Sequence, residues 1–290
     1  MADPEAGVAF AKGHGTQNDF VLLPDPDGAL ALASGRVRAL CDRRAGVGGD
    51  GVIRVVRTEA LNDPATDVCA DAEWFMDYRN ADGSLAEMCG NGVRVFARYL
   101  VELGLVEPAE LRSGIVVGTR GGPKRTWSHS DGSISVEMGR VIVGGGSWAT
   151  LGETRFTGLS VDVGNPHLAC VTEHDLGGLD LSGQPTYDPA VFPDGVNIEF
   201  VTQPRDDEVQ MRVHERGVGE TRSCGTGTVA AAVAVLNRAG RDSGQLGVSV
   251  PGGRVSVSLD AGAAVLTGPA VVLARGELDA GWWHSLAEPA

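Results

Sequence analysis

Two apolar runs with helical spacing stand out in a chain that otherwise alternates short strands with glycine-rich turns. The first runs from Val93 to Leu103, and the second, from Thr228 to Ala239, is rich in Ala, Val and Leu. Apolar positions repeating every three to four residues predict helices. A glycine follows each run, Gly104 and Gly240, as is common just after a helix C-terminus. The pattern therefore predicts two apolar helices, one in each half of the chain.

Short apolar segments between glycine-rich turns predict strands around these helices. In the first half they are Val8 to Lys12, Phe20 to Leu23, Val52 to Val56, Trp74 to Tyr78, Ile115 to Val117 and Ile134 to Met138. In the second half they are Val161 to Val163, Leu168 to Val171, Ile198 to Val201 and Val271 to Ala274. Residues 29–43 have helical periodicity, and residues 59–71 have the composition of an exposed loop.

The two halves carry matching landmarks in the same order. The pairs are Asn18 with Asn165, Asp50 with Asp194, Asn80 with Glu215, and Cys89 with Cys224. Their separation shrinks along the chain, as differences in loop length would produce. We infer two similar α+β halves, each wrapping strands round one central helix. The predicted N-terminal half covers residues 1–139, with a C-terminal strand from 266–290 returning to it, and the second half covers residues 140–265.

A cysteine stands at the predicted start of each helix. The motifs are Cys-Gly-Asn-Gly at 89–92 and Cys-Gly-Thr-Gly at 224–227. A helix N-terminus offers unpaired backbone N–H groups and a partial positive charge. This environment favours the thiolate over the thiol and also holds an anion. Two matched motifs in one chain predict a two-cysteine active site.

Paired thiols suit proton transfer at a carbon beside a carboxylate. If the helix starts face each other, a substrate carboxylate would interact with both, and a thiolate and a thiol would flank the neighbouring carbon. That arrangement favours racemisation or epimerisation. The two thiols need different neighbours to differ in protonation, and His167 and Glu215 are the best candidates. The only lysines, Lys12 and Lys124, lack a persuasive pyridoxal-phosphate context, so we expect no cofactor.

The composition limits the classes of binding partner and the cellular compartment that we expect. The 290 residues carry a formal net charge of −14, which argues against nucleic acid or an anionic membrane as the main partner. No apolar run approaches the roughly 18 residues of a membrane-spanning helix. Five cysteines without an apparent secretory signal predict free thiols in the cytoplasm. Cys-x-x-Cys and His-x-x-x-His motifs are absent from the sequence, so no metal site is predicted.

Several longer motifs are spread over nearly the whole chain. They are Gln17–Phe20, Asn80–Ser84, Met88–Gly92, Gly164–His167, Val196-Asn197, and Glu215–Glu220 ahead of Cys224–Gly227. Together they closely resemble the diaminopimelate epimerase family of cofactor-independent, two-base epimerases. The resemblance implies a strongly curved, mainly antiparallel sheet wrapped round a central helix in each half. It also implies interconversion of LL-2,6-diaminopimelate and meso-diaminopimelate, in lysine and peptidoglycan precursor biosynthesis, by a homodimer.

The resemblance also implies roles for individual residues. Cys89 and Cys224 would be the acid/base pair, and His167 and Glu215 would tune the pKa values of the thiols. The implied substrate ligands are Asn18, Asn80, Gly90, Asn91, Asn165, Asn197, Glu215, Arg216, Gly225 and Thr226. One position departs from the family pattern, because many members carry Gln where this chain has Gly51. A side-chain contact with the substrate is not expected there.

Alternatives remain open from the sequence alone. Residues 225–230 match the dinucleotide fingerprint Gly-x-Gly-x-x-Ala, although the charged, glycine-rich residues 215–223 before it do not look like the strand that this motif requires. A proline-racemase-like enzyme would also use paired cysteines, and a non-catalytic amino-acid-binding protein with the same halves would not need a cysteine in both. The other cysteines, Cys41, Cys69 and Cys170, have no repeat partner and are interpreted as packing or surface thiols.

Overall fold

The computed structural model describes residues 7–286 of the chain. Its first nine strands are β1 Val8–Gly15, β2 Asn18–Pro24, β3 Gly51–Arg57, β4 Trp74–Asn80, β5 Ile115–Gly118, β6 Lys124–Ser128, β7 Ile134–Arg140, β8 Ile142–Leu151 and β9 Thr154–Asp162. The next nine are β10 Pro166–Thr172, β11 Thr186–Tyr187, β12 Asn197–Thr202, β13 Glu208–Glu215, β14 Gly219–Thr221, β15 Gly244–Val250, β16 Gly253–Asp260, β17 Ala263–Gly268 and β18 Val271–Leu278. The helices are α1 Ser34–Cys41, α2 Gly90–Glu102, α3 Pro108–Ser113, α4 Gly225–Arg238 and α5 Ala280–Ser285.

The chain forms two compact units. Among the described residues, the first comprises Asp19–Ile134 with residues 7–15 and 270–286, and the second comprises Ser135–Pro269 together with Thr16–Asn18. Each unit is α+β and consists mainly of strands, as the sequence pattern indicates. The division into two epimerase halves at residue 139 remains a prediction.

The first unit surrounds α2 with strands. β1 pairs antiparallel with β18, β2 parallel with β3, β3 antiparallel with β4, β4 parallel with β5, and β5 antiparallel with β6. α2 packs against β1, β3, β4, β6 and β18. Most of its side chains are buried, because apolar residues cover more than one face of the helix.

The second unit repeats this pairing around α4. β9 pairs antiparallel with β8, β10 parallel with β12, β12 antiparallel with β13, β13 parallel with β15, and β15 antiparallel with β16. α4 packs against strands of the same sheet on several sides and is buried along nearly its whole length. The alternation of parallel and antiparallel pairs is the same in both units, which confirms the repeat inferred from the landmarks.

The strand register corrects one of the predicted landmark pairs. Phe20 pairs with Gly51 in the first unit, and His167 pairs with Asn197 in the second. The structural counterpart of Asn197 is therefore Gly51, and the prediction that Asp194 corresponds to Asp50 is wrong. Asp50 directly precedes β3, whereas two residues separate Asp194 from β12, so the turns differ in length.

Both predicted glycine caps are confirmed. Gly104 and Gly240 each have φ of +68°, the left-handed conformation in which glycine avoids the steric cost of a Cβ. The residue after each glycine donates back into the helix, from Leu105 N to Leu100 O at 3.0 Å and from Arg241 N to Leu236 O at 2.9 Å. These bonds satisfy carbonyl groups that the helix ends would leave unpaired.

The helix predicted over residues 29–43 is shorter in the structure. α1 covers only Ser34–Cys41. The carboxylate of Asp25 accepts hydrogen bonds from the backbone N–H groups of Ala29 and Leu30, at 2.8 and 3.0 Å. These bonds hold the start of the segment in a turn. The helix therefore begins later than the helical periodicity of the sequence predicts. The predicted loop at 59–71 contains two 3-10 turns, Thr58–Ala60 and Pro64–Cys69.

Candidate active site

Cys89 is the N-cap residue of α2. Its backbone is extended, with φ of −143° and ψ of 113°, and its Sγ accepts a hydrogen bond from Gly92 N at 3.4 Å. The side chain is half-buried. The sulfur thus lies at the positive end of the helix, where a thiolate is favoured. The predicted position of this cysteine at a helix start is confirmed.

A buried cation accompanies Cys89 in the first unit. Arg94, in the second turn of α2, is 0% exposed, and its Nη2 donates to Asn91 Oδ1 at 2.9 Å. A Cβ at Gly15 would lie 3.1 Å from Nη2, so the glycine leaves room for the guanidinium. Burial lowers the pKa of Arg94 to about 10, and the electrostatic effect of Cys89 opposes that shift. The guanidinium is therefore close enough to act on the thiol.

Asn80 and Gly51 are neighbours on adjacent strands. They pair directly between β4 and β3, and Asn80 Nδ2 donates to Ser84 Oγ at 3.0 Å. A Cβ at Gly51 would lie 2.6 Å from Cε2 of Tyr78 and 2.5 Å from the carbonyl oxygen of Arg79. The ring of Tyr78 thus occupies the space that a side chain at position 51 would enter. The glycine is required by this close approach.

Cys224 is the N-cap residue of α4 and is buried. Its Sγ accepts from Gly227 N at 3.4 Å and lies 3.5 Å from Thr226 Oγ1. Burial raises the pKa of Cys224 well above its ordinary value, and the carboxyl groups of Glu215 and Glu199 raise it further. The two hydrogen bonds oppose this shift but do not reverse it. At Cys224 burial and the two carboxyl groups thus outweigh the effect of the helix start.

A chain of polar side chains lies in the second unit. His167 Nδ1 is 2.7 Å from Glu199 Oε1, and His167 Nε2 is 3.0 Å from Asn165 Oδ1. His167 and Glu199 are both fully buried. Burial raises the pKa of Glu199 to about 7, while its contact with His167 acts in the opposite direction.

Asn197 and Arg216 lie at the same end of the sheet as His167, because Asn197 pairs with His167 and Arg216 directly follows β13. Arg216 donates from its backbone N to Asn197 Oδ1 at 2.9 Å and from Nη1 to the carbonyl oxygen of Asp194 at 2.9 Å. Its side chain is exposed and passes 2.6 Å from the point that a Cβ at Gly195 would occupy. The half-buried Glu215 accepts a hydrogen bond from the hydroxyl of Thr221. Arg216 thus has a supported side chain with donors left for an anion.

The structure distributes the predicted site residues between the two units. Asn80, Cys89, Gly90 and Asn91 belong to the first. The second unit holds Asn18, Asn165, His167, Asn197, Glu215, Arg216, Cys224, Gly225 and Thr226. Asn18 joins the second unit through the turn Thr16–Asn18, where Gln17 Oε1 accepts a hydrogen bond from Arg222.

The remaining cysteines have a different character. Cys41, Cys69 and Cys170 are buried. Burial raises the pKa of Cys41 to about 11 and that of Cys170 to about 12. Such thiols are poor nucleophiles at neutral pH, so the interpretation of packing thiols agrees with their burial. Within residues 7–286 no group of His, Cys, Asp and Glu is arranged to hold a metal ion.

Three residues of the two units, Glu199, Arg94 and Tyr78, were not predicted from the sequence. Glu199 and Arg94 are charged residues inside apolar segments, Ile198 to Val201 and Val93 to Leu103, and this mismatch was the available signal. The role of Tyr78 had no signal, because it depends on the register between β3 and β4.

Comparison with known proteins identifies the family. Residues 10–143 and 159–273 match the family model described as diaminopimelate epimerase. The diaminopimelate epimerase of Rhodococcus jostii strain RHA1 is 54% identical over 291 residues, covering 96% of this chain and 99% of that protein. The chain belongs to the diaminopimelate epimerase family. The diaminopimelate epimerase of Mycolicibacterium smegmatis is 53% identical over 294 residues, covering 97% of this chain and 100% of the relative. As a member of this family the chain is an isomerase of the epimerase class.

Solved structures of lower identity show the same fold. A probable proline racemase from Agrobacterium radiobacter K84 has a TM-score of 0.66 at 16% identity, covering 93% of this chain and 92% of the other. A phenazine biosynthesis protein of the PhzF family from Bacillus anthracis has a TM-score of 0.65 at 16% identity, covering 93% and 98%. The predicted α+β fold of the diaminopimelate epimerase family is thus confirmed. None of the helices within residues 7–286 is long and apolar enough to cross a membrane.

Proposed function

We propose that this member of the family interconverts LL-2,6-diaminopimelate and meso-diaminopimelate, with Cys89 and Cys224 as the two bases. The observation that carries the proposal is that both thiols cap a helix in the same way. Each Sγ accepts the N–H of the third helical residue at 3.4 Å, in two units that repeat the same strand pairing. The family membership supports the choice of substrate class.

In the proposed reaction one cysteine acts as a thiolate and removes the proton from the α-carbon. The other is a thiol and delivers a proton to the opposite face. Gly90, Asn91, Gly225 and Thr226 are the first residues of α2 and α4, so their backbone N–H groups lie at the positive helix ends. We assign them to the α-carboxylate, because positive helix ends stabilise the negative charge that develops in the transition state.

The surroundings of the two thiols support different resting protonation states. The buried guanidinium of Arg94 acts on Cys89, and a nearby positive charge favours a thiolate. Cys224 is buried beside two carboxyl groups, which raise its pKa. We therefore propose Cys89 as the thiolate and Cys224 as the thiol in the resting enzyme. Glu215 acts on Cys224 in this scheme, and His167 acts through its position next to Glu199.

Specificity for a substrate with two amino-acid ends needs a second set of polar groups. Arg216 can bind the distal carboxylate bidentately. Asn18, Asn80, Asn165 and Asn197 can each serve an ammonium or a carboxylate, because an amide has both donor and acceptor. A shorter amino acid would leave these groups unpaired, which is a strong basis for rejecting it.

The proposed setting follows the sequence-based expectations. The substrate is a small molecule, and the odd number of cysteines supports the reducing environment of the cytoplasm. A homodimer is proposed from the family resemblance, and sedimentation of the purified protein would test it.

Single cysteine variants test the function. Cys89→Ala and Cys224→Ala should each abolish the conversion of LL- to meso-diaminopimelate, measured by chromatographic separation of the stereoisomers. Cys41→Ala is the matched control, since this buried cysteine lies in α1, and it should retain activity. An active Cys89→Ala or Cys224→Ala enzyme would overturn the two-base assignment. Racemisation of proline but not of diaminopimelate would point instead to a proline-racemase-like enzyme.

A further inference from the structure

We infer that Glu199 is a further positioning residue of the second unit: its buried carboxyl group fixes the ring of His167 and stands beside Cys224, holding a proton in this half of the site. The inference rests on the proposed function, because it concerns the cysteine that the proposal makes the resting acid. Four observations support it.

The first observation is the hydrogen-bond chain through His167. Asn165 Oδ1 can only accept, so the contact at 3.0 Å requires a proton on His167 Nε2. His167 Nδ1 and Glu199 Oε1 are 2.7 Å apart. Two atoms that each present a lone pair approach this closely only when a proton lies between them. Glu199 and His167 therefore share one proton, whichever of them binds it more tightly.

The second observation is the position of Glu199 next to the helix start that carries Cys224. A Cβ at Gly227 would lie 2.6 Å from Glu199 Oε1 and 3.3 Å from Cys224 Sγ. The carboxyl group and the sulfur thus approach the same small space from two sides. Gly227 keeps that space open, because any larger residue would push the carboxyl group away.

The third observation is that Glu199 is only partly satisfied. Its Oε2 is buried and has no hydrogen-bond partner among the described residues. Buried carboxyl groups with a purely structural role normally have partners for both oxygens, since an unpaired buried oxygen costs stability. The unsatisfied oxygen therefore indicates a role other than packing.

The fourth observation is the contrast with the first unit. Ile53 occupies the place of Glu199 there, with its Cδ1 3.2 Å from the point that a Cβ at Gly92 would occupy, and Phe20 occupies the register position of His167. In the first unit, two apolar side chains are therefore sufficient for packing at these positions. Burying the ionisable pair His167 and Glu199 in the second unit has a desolvation cost. Packing alone does not explain why these residues are present there.

Four titratable groups act on or are affected by Glu199. They are His167 and Cys170 on β10, Glu215 on β13, and Cys224 at the start of α4. Removing the carboxyl charge from this set should lower the pKa of Cys224, because a neighbouring negative charge disfavours the thiolate.

The test uses Glu199→Gln, which keeps the shape of the side chain but removes its proton exchange. We expect the melting temperature to stay near that of the wild type and kcat to fall by about tenfold or more, with little change in KM. The alkaline limb of the kcat/KM profile should move to lower pH by about one unit. Ile198→Val, on the same strand, is the matched control and should leave the limb in place. If Glu199→Gln leaves both kcat and the alkaline limb unchanged, Glu199 is only a packing residue and the inference is overturned.

A second measurement needs no turnover. In the wild-type protein with 15N-labelled histidine, long-range 1H–15N spectra at about pH 7 should show His167 protonated at Nε2 and a strongly downfield proton in the contact between Nδ1 and Glu199. Loss of these signals in a folded His167→Gln variant assigns them. Absence of a downfield proton between His167 and Glu199, on either atom, would overturn the inference. Inactive cysteine variants, by contrast, bear only on the proposed function.

Discussion

Replacing Arg94 by methionine tests the proposed charge difference between the two cysteines. The substitution removes a fully buried guanidinium and keeps an unbranched side chain of similar length. Arg94 lies five positions after Cys89, a helical rise of about 7.5 Å, and helical side chains point back towards the N-terminus. The positive charge should therefore lie within about 8 Å of the thiol.

The expected effect follows from this separation. Two unit charges about 8 Å apart interact by about 2 kcal/mol at an effective dielectric constant of about 20. Losing that interaction should raise the pKa of Cys89, because a neighbouring positive charge favours the thiolate. At neutral pH the thiolate fraction should then fall by more than tenfold.

The assay is the rate of iodoacetamide alkylation at Cys89 as a function of pH, followed by peptide mass spectrometry. In Arg94→Met the rate at pH 7 should drop at least about tenfold, and its midpoint should move to higher pH. Arg94→Lys is the control, because it retains the charge and should stay closer to the wild type. An unchanged pH profile in a folded Arg94→Met protein would refute the electrostatic role of Arg94.

Three further predictions concern other parts of the molecule. In the wild type without substrate, Cys89 should be alkylated before Cys224 at neutral pH, because burial and two carboxyl groups raise the pKa of Cys224; peptide mapping that finds Cys224 modified first would reverse the proposed resting state. Gly51→Ala should lower the free energy of unfolding in urea by about 1–3 kcal/mol, because its Cβ would lie 2.5 Å from the Arg79 carbonyl oxygen and 2.6 Å from the Tyr78 ring; wild-type stability would show that β3 and β4 can separate without cost. Burial tends to raise the pKa of Asp77, but Arg54, Arg79 and Arg120 lower it below its ordinary value. The ionised Asp77 therefore stabilises the fold above about pH 4, and this stabilisation is lost as the pH falls through the folded-state pKa. Asp77→Asn should therefore cost about 3–5 kcal/mol at neutral pH and flatten the acid side of the stability profile, and an equal loss at pH 3 would contradict this.

The sequence was informative where local chemistry decides the structure. The apolar periodicity and the glycines after α2 and α4 predicted both helices and their ends, and the structure confirms the caps at Gly104 and Gly240. The cysteines precede those helices directly, so their position at the N-termini followed from sequence alone. The assignment of the family needed no structure, because its motifs are continuous in the chain.

The sequence was less informative where strand register or burial decides. The pairing of Asp50 with Asp194 was wrong because the turn before β12 is longer than the one before β3. The raised pKa of Cys224 has three causes, which are burial, Glu215 and Glu199. The sequence indicated Glu215, but burial and the approach of Glu199, 25 residues away in sequence, depend on the fold. The crowding of Gly51 by Tyr78 likewise requires the register of two strands.

Solvent isotope incorporation tests the two-base claim most directly. LL-diaminopimelate is incubated with the protein in deuterium oxide without added cofactor, the reaction is stopped early, and the LL and meso forms are separated for mass spectrometry. If separate thiols serve the two faces, the first meso product should carry one solvent deuterium while the remaining LL substrate stays unlabelled. Equal labelling of substrate and product from the start would indicate a single base, and unlabelled product would exclude proton exchange through either cysteine.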